Sequence, residues 1–272
     1  MIRPIAILAG LVFVVALLVA VAMPRDAAQP NVFAEFHKEP KEVHFSFDGP
    51  FGSYDREQLQ RGFKVYQEVC SACHSMKLVA FRSLTGIGFT EPEVKAIAKN
   101  WSVKVPTIND KTGEETTRDA TPADFIPPAY PNETAARAGN NNALPPDMSL
   151  LAKAREGGAH YIYSIVTGFQ NPPANLPKDN LPPPGLHYNP YFANLNIAMP
   201  PPLVSEGQVT YDDGTKPTVD QMAKDVSAFL MWASEPKLEN RHRTGIAVMI
   251  FLIIATALAF MSYRNVWAGE KH

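Results

Sequence analysis

A chain of 272 residues that is 46% hydrophobic and has a formal net charge of −2 can bury the core of one domain of about 200 residues, with segments left over at both ends. It lacks the excess of Lys and Arg that a nucleic-acid footprint requires. Its two cysteines, Cys70 and Cys73, belong to one short motif, so no second pair remains for a disulfide.

At the N-terminus, Arg3 precedes an apolar run from Ile5 to Ala22. This is the pattern of an export signal, and Ala20-Val21-Ala22 supplies the small residues of a cleavage site. The run is longer than a typical signal core, so an uncleaved helix fits equally well. Residues 1–23 are therefore read as a signal peptide or N-terminal membrane anchor, and 24–43 as a linker.

Asp55 with Gln58 three positions on predicts a capped helix start, and Leu59, Phe63, Tyr66 and Cys70 follow at helical spacing. The helix closes on Cys70-Ser71-Ala72-Cys73-His74, the attachment signature of c-type haem. Two thiols about one helical turn apart can add to the two vinyl groups of a haem, and the next imidazole then lies under the iron. A thioredoxin-like dithiol would need a βαβ setting, which these helical and proline-rich flanks do not offer. A structural zinc site needs four ligands and would have to borrow distant histidines.

Further along, Asp147 opens an expected helix through Leu150, Leu151 and Ala154 that breaks at Gly157-Gly158, and another runs from about Ala159 to Gly168. Residues 171–203 hold ten prolines and no helix or strand pattern; a long irregular segment in a compact domain is usually functional. Within it Met199 precedes Pro200-Pro201-Pro202, whose fixed φ stiffens the chain enough to hold a thioether on iron. Met199 is the favoured sixth ligand. Met76 lies on the same side of the ring as His74, Met148 begins a helix, and His160 and His187 read as ordinary hydrogen-bonded histidines. Thr218 with Gln221 then caps a helix whose stripe of Val219, Met222, Val226, Phe229, Leu230 and Ala233 ends before Pro236. Packed against the first helix, it makes Met222 and Met231 core or surface residues rather than ligands.

Residues 244–263 carry no charge, and as a helix they span roughly 30 Å, enough to cross a bilayer. Arg241, His242 and Arg243 flank the start, and Tyr263, Arg264 and Trp267 mark the far interface. Haem attachment occurs on the exported side, which places residues 44–240 there as a haem domain and 264–272 as a cytoplasmic tail. That domain is acidic, with 20 Lys and Arg against 26 Asp and Glu in residues 24–240. Asp110, Glu114, Glu115, Asp119 and Asp124 gather in one expected loop, where they could steer a basic protein or simply be solvated.

These residues carry a resemblance. Arg61-Gly62-Phe63 leading into Val69 and the haem motif, Ala136-Arg137, Asn140-Asn141, Ala143-Leu144-Pro145-Pro146-Asp147, Tyr161-Ile162-Tyr163, Tyr188-Asn189-Pro190-Tyr191-Phe192, the Met199 segment, Tyr211-Asp212-Asp213-Gly214-Thr215 and Trp232-Ala233 occur in this order. From about Phe45 to Trp267 the chain resembles the cytochrome c1 family in its α-proteobacterial form. The resemblance implies a mainly α, cytochrome c-like domain with long proline-rich insertions and a C-terminal transmembrane helix. It implies one covalent haem c on Cys70 and Cys73, His74 and Met199 as axial ligands, and Arg137 beside a haem propionate. Asn142 stands where the resemblance leads one to expect glycine.

The same resemblance implies single-electron transfer in the cytochrome bc1 complex of a bacterial inner membrane. Electrons would pass from the Rieske iron–sulfur protein to a c-type cytochrome, beside cytochrome b, with the haem domain periplasmic. Two other readings stay open at this stage: a membrane-anchored monohaem cytochrome of a terminal oxidase or other reductase, and a haem enzyme or gas-binding module with an open iron site.

Overall fold

The computed structural model describes residues 2–22 and 32–269. The chain divides into an N-terminal unit ending at Phe36 and a main unit that begins at His37. The first contains α1 (Ile2–Ala22) and the short α2 (Val32–Phe36). The window Pro4–Val21 of α1 has a mean hydropathy of 3.0, suited to a leader or to an anchor. Of the expected linker, residues 24–31 lie outside the described residues. From Lys38 onward the chain is bonded to the main unit, with the Lys38 amide on Pro190 O and the Lys41 amide on Ser164 Oγ, each at 2.8 Å.

The main unit is mostly helical. α3 (Arg56–Val65) starts where the Asp55 carboxylate accepts from the Glu57 and Gln58 amides, satisfying donors that have no partner inside the helix. It runs into a π-helical turn, Tyr66–Cys70, in which the Ser71 amide donates to Tyr66 O at 2.8 Å. A 3₁₀ helix (Phe81–Ile87) and α4 (Glu91–Lys99) follow, the latter opened by a Thr90/Glu93 capping box. Neither has a counterpart among the expected helices. β1 (Val105–Ile108) and β2 (Glu115–Arg118) form an antiparallel hairpin with Ile108 opposite Glu115.

α5 (Glu133–Gly139) is capped by Asn132, and α6 (Gly158–Thr167) comes after it. The helix expected from Asp147 does not form; residues 148–157 are bends and turns. The Asp147 carboxylate is committed to the amides of Ser149 and Lys77, each at 2.9 Å, and so ties two loops together instead of starting a helix. The proline-rich segment is irregular except for a 3₁₀ turn at Lys178–Asn180 and the two-residue strands β3 (His187–Tyr188) and β4 (Asn196–Ile197). β3 and β4 are antiparallel, with Tyr188 opposite Asn196.

α7 (Val219–Ser234) starts as its sequence predicts, with Thr218 Oγ1 accepting from the Gln221 amide at 3.0 Å. It crosses α3 closely because Gly62 has no side chain: a Cβ there would meet Asp225 O at 2.0 Å and the Phe229 Cβ at 2.7 Å. Around the crossing, Phe63 meets Phe229 edge-on at 5.5 Å, and Tyr66, Trp101, Phe81 and Trp232 extend the aromatic core. Met222 is fully buried in it, while Met231 packs at its margin. α8 (Leu238–Trp267) leaves the unit as one continuous helix that buries Leu238 in the core and exposes its large apolar side chains from Ile246 onward, as a bilayer-crossing helix requires.

Candidate functional site

The π-helical turn delivers Cys70 into a tight bend. The Cys73 and His74 amides both donate to Cys70 O, at 3.1 and 2.9 Å, which gathers the two thiols and the imidazole within one loop. Both cysteines are free and half-buried. Burial, reinforced by the neighbouring Cys73, pushes the Cys70 thiol up to about 12, so this sulfur stays neutral at ordinary pH. The Tyr130 hydroxyl approaches the Cys73 sulfur at 4.0 Å.

His74 is 9% exposed. Burial lowers its pKa, against the opposing pull of the Pro146 carbonyl and Asp147, which favours the neutral imidazole. Its Nδ1 is 2.9 Å from Pro146 O. A carbonyl can only accept, so Nδ1 carries the proton and Nε2 is left as the basic nitrogen. This is the arrangement by which a second partner orients a metal-bound histidine and fixes its tautomer. The Pro146 loop is itself laced to the His74 loop: the Met148 amide donates to Ser75 O at 2.8 Å, and the Leu78 amide to Ser149 Oγ at 3.0 Å. The Tyr66 hydroxyl donates to His74 O at 3.1 Å from beneath.

The donor set therefore fits a c-type haem: two unpaired thiols on one turn beside a neutral imidazole with one nitrogen already engaged. The roles of Pro146 and Tyr66 are not visible in the sequence reading. Pro146 acts through its backbone oxygen, and the only hint is that it falls in a Pro-Pro-Asp segment.

The other expected site residues stand on separate elements. Met199 is half-buried, two residues beyond β4 and ahead of the triple proline. Asn189 holds that segment in place: fully buried, it donates from Nδ2 to Ile165 O at 2.8 Å and accepts the Tyr191 amide on Oδ1 at 3.1 Å. A recess of about 450 Å³ against the proline-rich segment is lined by Phe169, Pro172, Leu186, His187, Tyr188 and Pro201; Met199, Cys70, Cys73 and His74 do not line it. Arg137 is an exposed residue of α5 whose guanidinium donates to Asn142 O at 3.1 Å. Asn142 has a φ of 62°, so it adopts the left-handed turn that a glycine would favour.

The expected acidic loop proves to be the β1–β2 hairpin and its exit. Lys104 pairs with Asp119 at 2.6 Å and Arg118 with Asp124 at 2.7 Å, so two of the five carboxylates are already neutralised by neighbours.

A helical domain with this motif, on a C-terminal helix long and apolar enough to cross a membrane, is a membrane-tethered c-type cytochrome. Residues 45–270 match the model of the Cytochrome C1 family. The chain is 43% identical to "Cytochrome c1" of Rhodospirillum rubrum, an alignment covering 90% of this chain and 93% of that one. It is also 43% identical to "Cytochrome c1, heme protein, mitochondrial" of Saccharomyces cerevisiae, over 84% of this chain and 72% of the relative. A longer "Cytochrome b/c1" of Bradyrhizobium diazoefficiens is 41% identical, with 94% of this chain matching 39% of its length. The chain belongs to the cytochrome c1 family. It is an electron-transfer haem protein, the haem subunit of a bc1 complex, and its cofactor is covalently bound haem c.

Proposed function

We propose that Cys70 and Cys73 hold the haem through thioethers, that His74 Nε2 and the Met199 sulfur fill its two axial positions, and that Arg137 neutralises a propionate. Bound there, the haem supplies a one-electron couple at iron. With His74 and Met199 both on the iron, small ligands would be kept off the metal, so the site would suit electron transfer rather than substrate chemistry. The Pro146 carbonyl would hold the His74 ring in one orientation under a bound haem. The thioether of Met199 and the apolar core behind Tyr66 both favour the reduced form and raise the potential. The geometry that carries this reading is the His74–Pro146 contact next to two free thiols.

In this reading the electrons arrive from the Rieske iron–sulfur protein and leave to a c-type cytochrome. Cytochrome b is the membrane neighbour, the haem domain lies on the periplasmic side of the inner membrane, and the tail after Arg264 is cytoplasmic. Purifying the native membrane assembly and recording its redox-resolved haem spectrum tests the proposal. Co-purification with cytochrome b and the Rieske protein, and no carbon monoxide binding by the reduced haem, are the expected results. Carbon monoxide binding would refute the two-ligand assignment, and isolation without those partners would refute the placement.

A further inference from the structure

The turn Asp48-Gly49-Pro50-Phe51-Gly52 presents a phenylalanine to the outside on a fixed frame. The Phe45 amide donates to Asp48 Oδ2 at 2.8 Å, the Asp48 amide to Phe45 O at 3.1 Å, and the Gly52 amide to Gly49 O at 3.3 Å. Phe51 is nonetheless 81% exposed. One exposed apolar side chain is ordinary on a protein surface, so its position has to decide what it means.

That position is the foot of α8. Gly52 O accepts from His242 Nδ1 at 3.1 Å. The Tyr54 amide donates to Glu239 Oε1 at 2.8 Å, the Arg56 guanidinium to Glu239 Oε2 at 2.6 Å, and the Tyr54 hydroxyl to Glu235 O at 3.0 Å. Three of these bonds fix residues 52–56 along the first turns of the helix, and the fourth ties Tyr54 to the joint just before it. His242 stands two residues before Thr244, where the uncharged stretch begins, a rise of about 3 Å along the axis. Leu78, 62% exposed, lines a recess of about 300 Å³ together with Arg56, Glu239 and Asn240. A second exposed apolar side chain thus stands beside the first turn of α8. Arg241 and Arg243 lie on the same helical turn as His242.

We propose that the Gly49–Gly52 turn is a membrane-contact element. Phe51, with Leu78, sits at the boundary between headgroups and acyl chains of the phospholipid leaflet that α8 enters, where apolar Phe and Leu side chains gain by burial among the acyl chains. The contact sets the height of the haem domain above the bilayer, giving the domain a second point of support beside the helix. The proposal rests on α8 crossing the membrane.

The test is the photoreactive analogue p-benzoylphenylalanine placed at Phe51 in the full haem-loaded chain in native membranes, with the same probe at Ile108 as a solvent-exposed comparison. Irradiation at position 51 should give adducts heavier by one phospholipid, several-fold more abundant than at Ile108. Adducts to a polypeptide, or a yield no higher than at Ile108, would overturn the assignment. An alkaline carbonate wash separates the two levels of the argument. If the chain is released from the membrane, the anchor reading falls and the proposal with it; if the chain is retained but position 51 fails to label lipid, the turn alone is refuted.

Discussion

Gly62 on α3 lies against the backbone of Asp225 on α7, so close that the methyl group of an alanine would stand 2.0 Å from the Asp225 carbonyl oxygen. A backbone oxygen cannot swing aside as a side chain can, so the helices would have to separate and the aromatic core would open. Gly62→Ala is expected to cost at least about 3 kcal/mol, at the upper end for overpacking. For a domain of about 200 residues this lowers the thermal midpoint by roughly 6–12 °C. A haem-absorbance melt of the variant beside the parent protein checks it, and an unchanged midpoint would contradict so close a crossing.

Met199→Leu removes the thioether and keeps the apolar volume. The haem should remain covalently attached, because Cys70 and Cys73 are untouched, while its potential falls by roughly a hundred millivolts, a fraction of the about 0.8 V over which axial ligands tune haems. A redox titration that finds the same potential in both proteins rules out Met199 as a ligand.

Asn189 ties the proline-rich segment to the end of α6 ten residues before Met199. Asn189→Ala leaves the Ile165 carbonyl and the Tyr191 amide without these partners, a cost of about 1–3 kcal/mol for each buried group left unsatisfied. The expected outcome is a loosened Met199 segment, read as carbon monoxide binding to the reduced haem that the parent protein lacks. Asn189→Asp keeps the acceptor for the Tyr191 amide but turns a buried carboxylate toward the Ile165 carbonyl in place of the lost donor, so it should bind at least as much carbon monoxide as the alanine variant.

Glu235, at the joint between α7 and α8, gives a pH signature. Its burial favours the neutral acid, yet Arg241 at 2.5 Å and Lys153 at 3.4 Å outweigh this and hold its carboxyl below the ordinary 4.5. A carboxyl depressed in the folded state adds stability above its unfolded pKa and loses it as the pH falls through the folded value. Glu235→Gln should therefore melt below the parent at pH 7, and the gap should close as the pH is taken below about 4.5. A gap that does not narrow as the pH falls below about 4.5 would assign the effect to packing rather than charge.

Legibility in the sequence follows the kind of group involved. α3 and α7 begin where Asp55 and Thr218 predict, because a cap is a side chain at a fixed offset and the buried stripe repeats with the helix. α4 carries an equally clear Thr90–Glu93 box, but it buries only Val94 and Ala98, too thin a stripe to mark it as a helix. The Asp147 stretch shows the reverse failure: an acid that looks like a cap is drawn into bonds with Ser149 and with Lys77, seventy residues earlier in the chain. At the site, the thiols and the imidazole are plain in the sequence. The partner that orients His74 is a peptide oxygen, which every residue has and no letter distinguishes.

The π-helical segment leaves one last mark on the molecule. Its bond from Ser71 back to Tyr66 spans five residues where an α-helix spans four, so the coil there contains one surplus residue, and everything downstream is advanced by about 100° around the axis. Upstream, Leu59 and Phe63 keep phase with the core; downstream, the sulfurs point along a different meridian. Excising a single residue such as Gln67 would restore an ordinary coil and rotate the attachment points away from their cofactor, even though every chemically active group was still present.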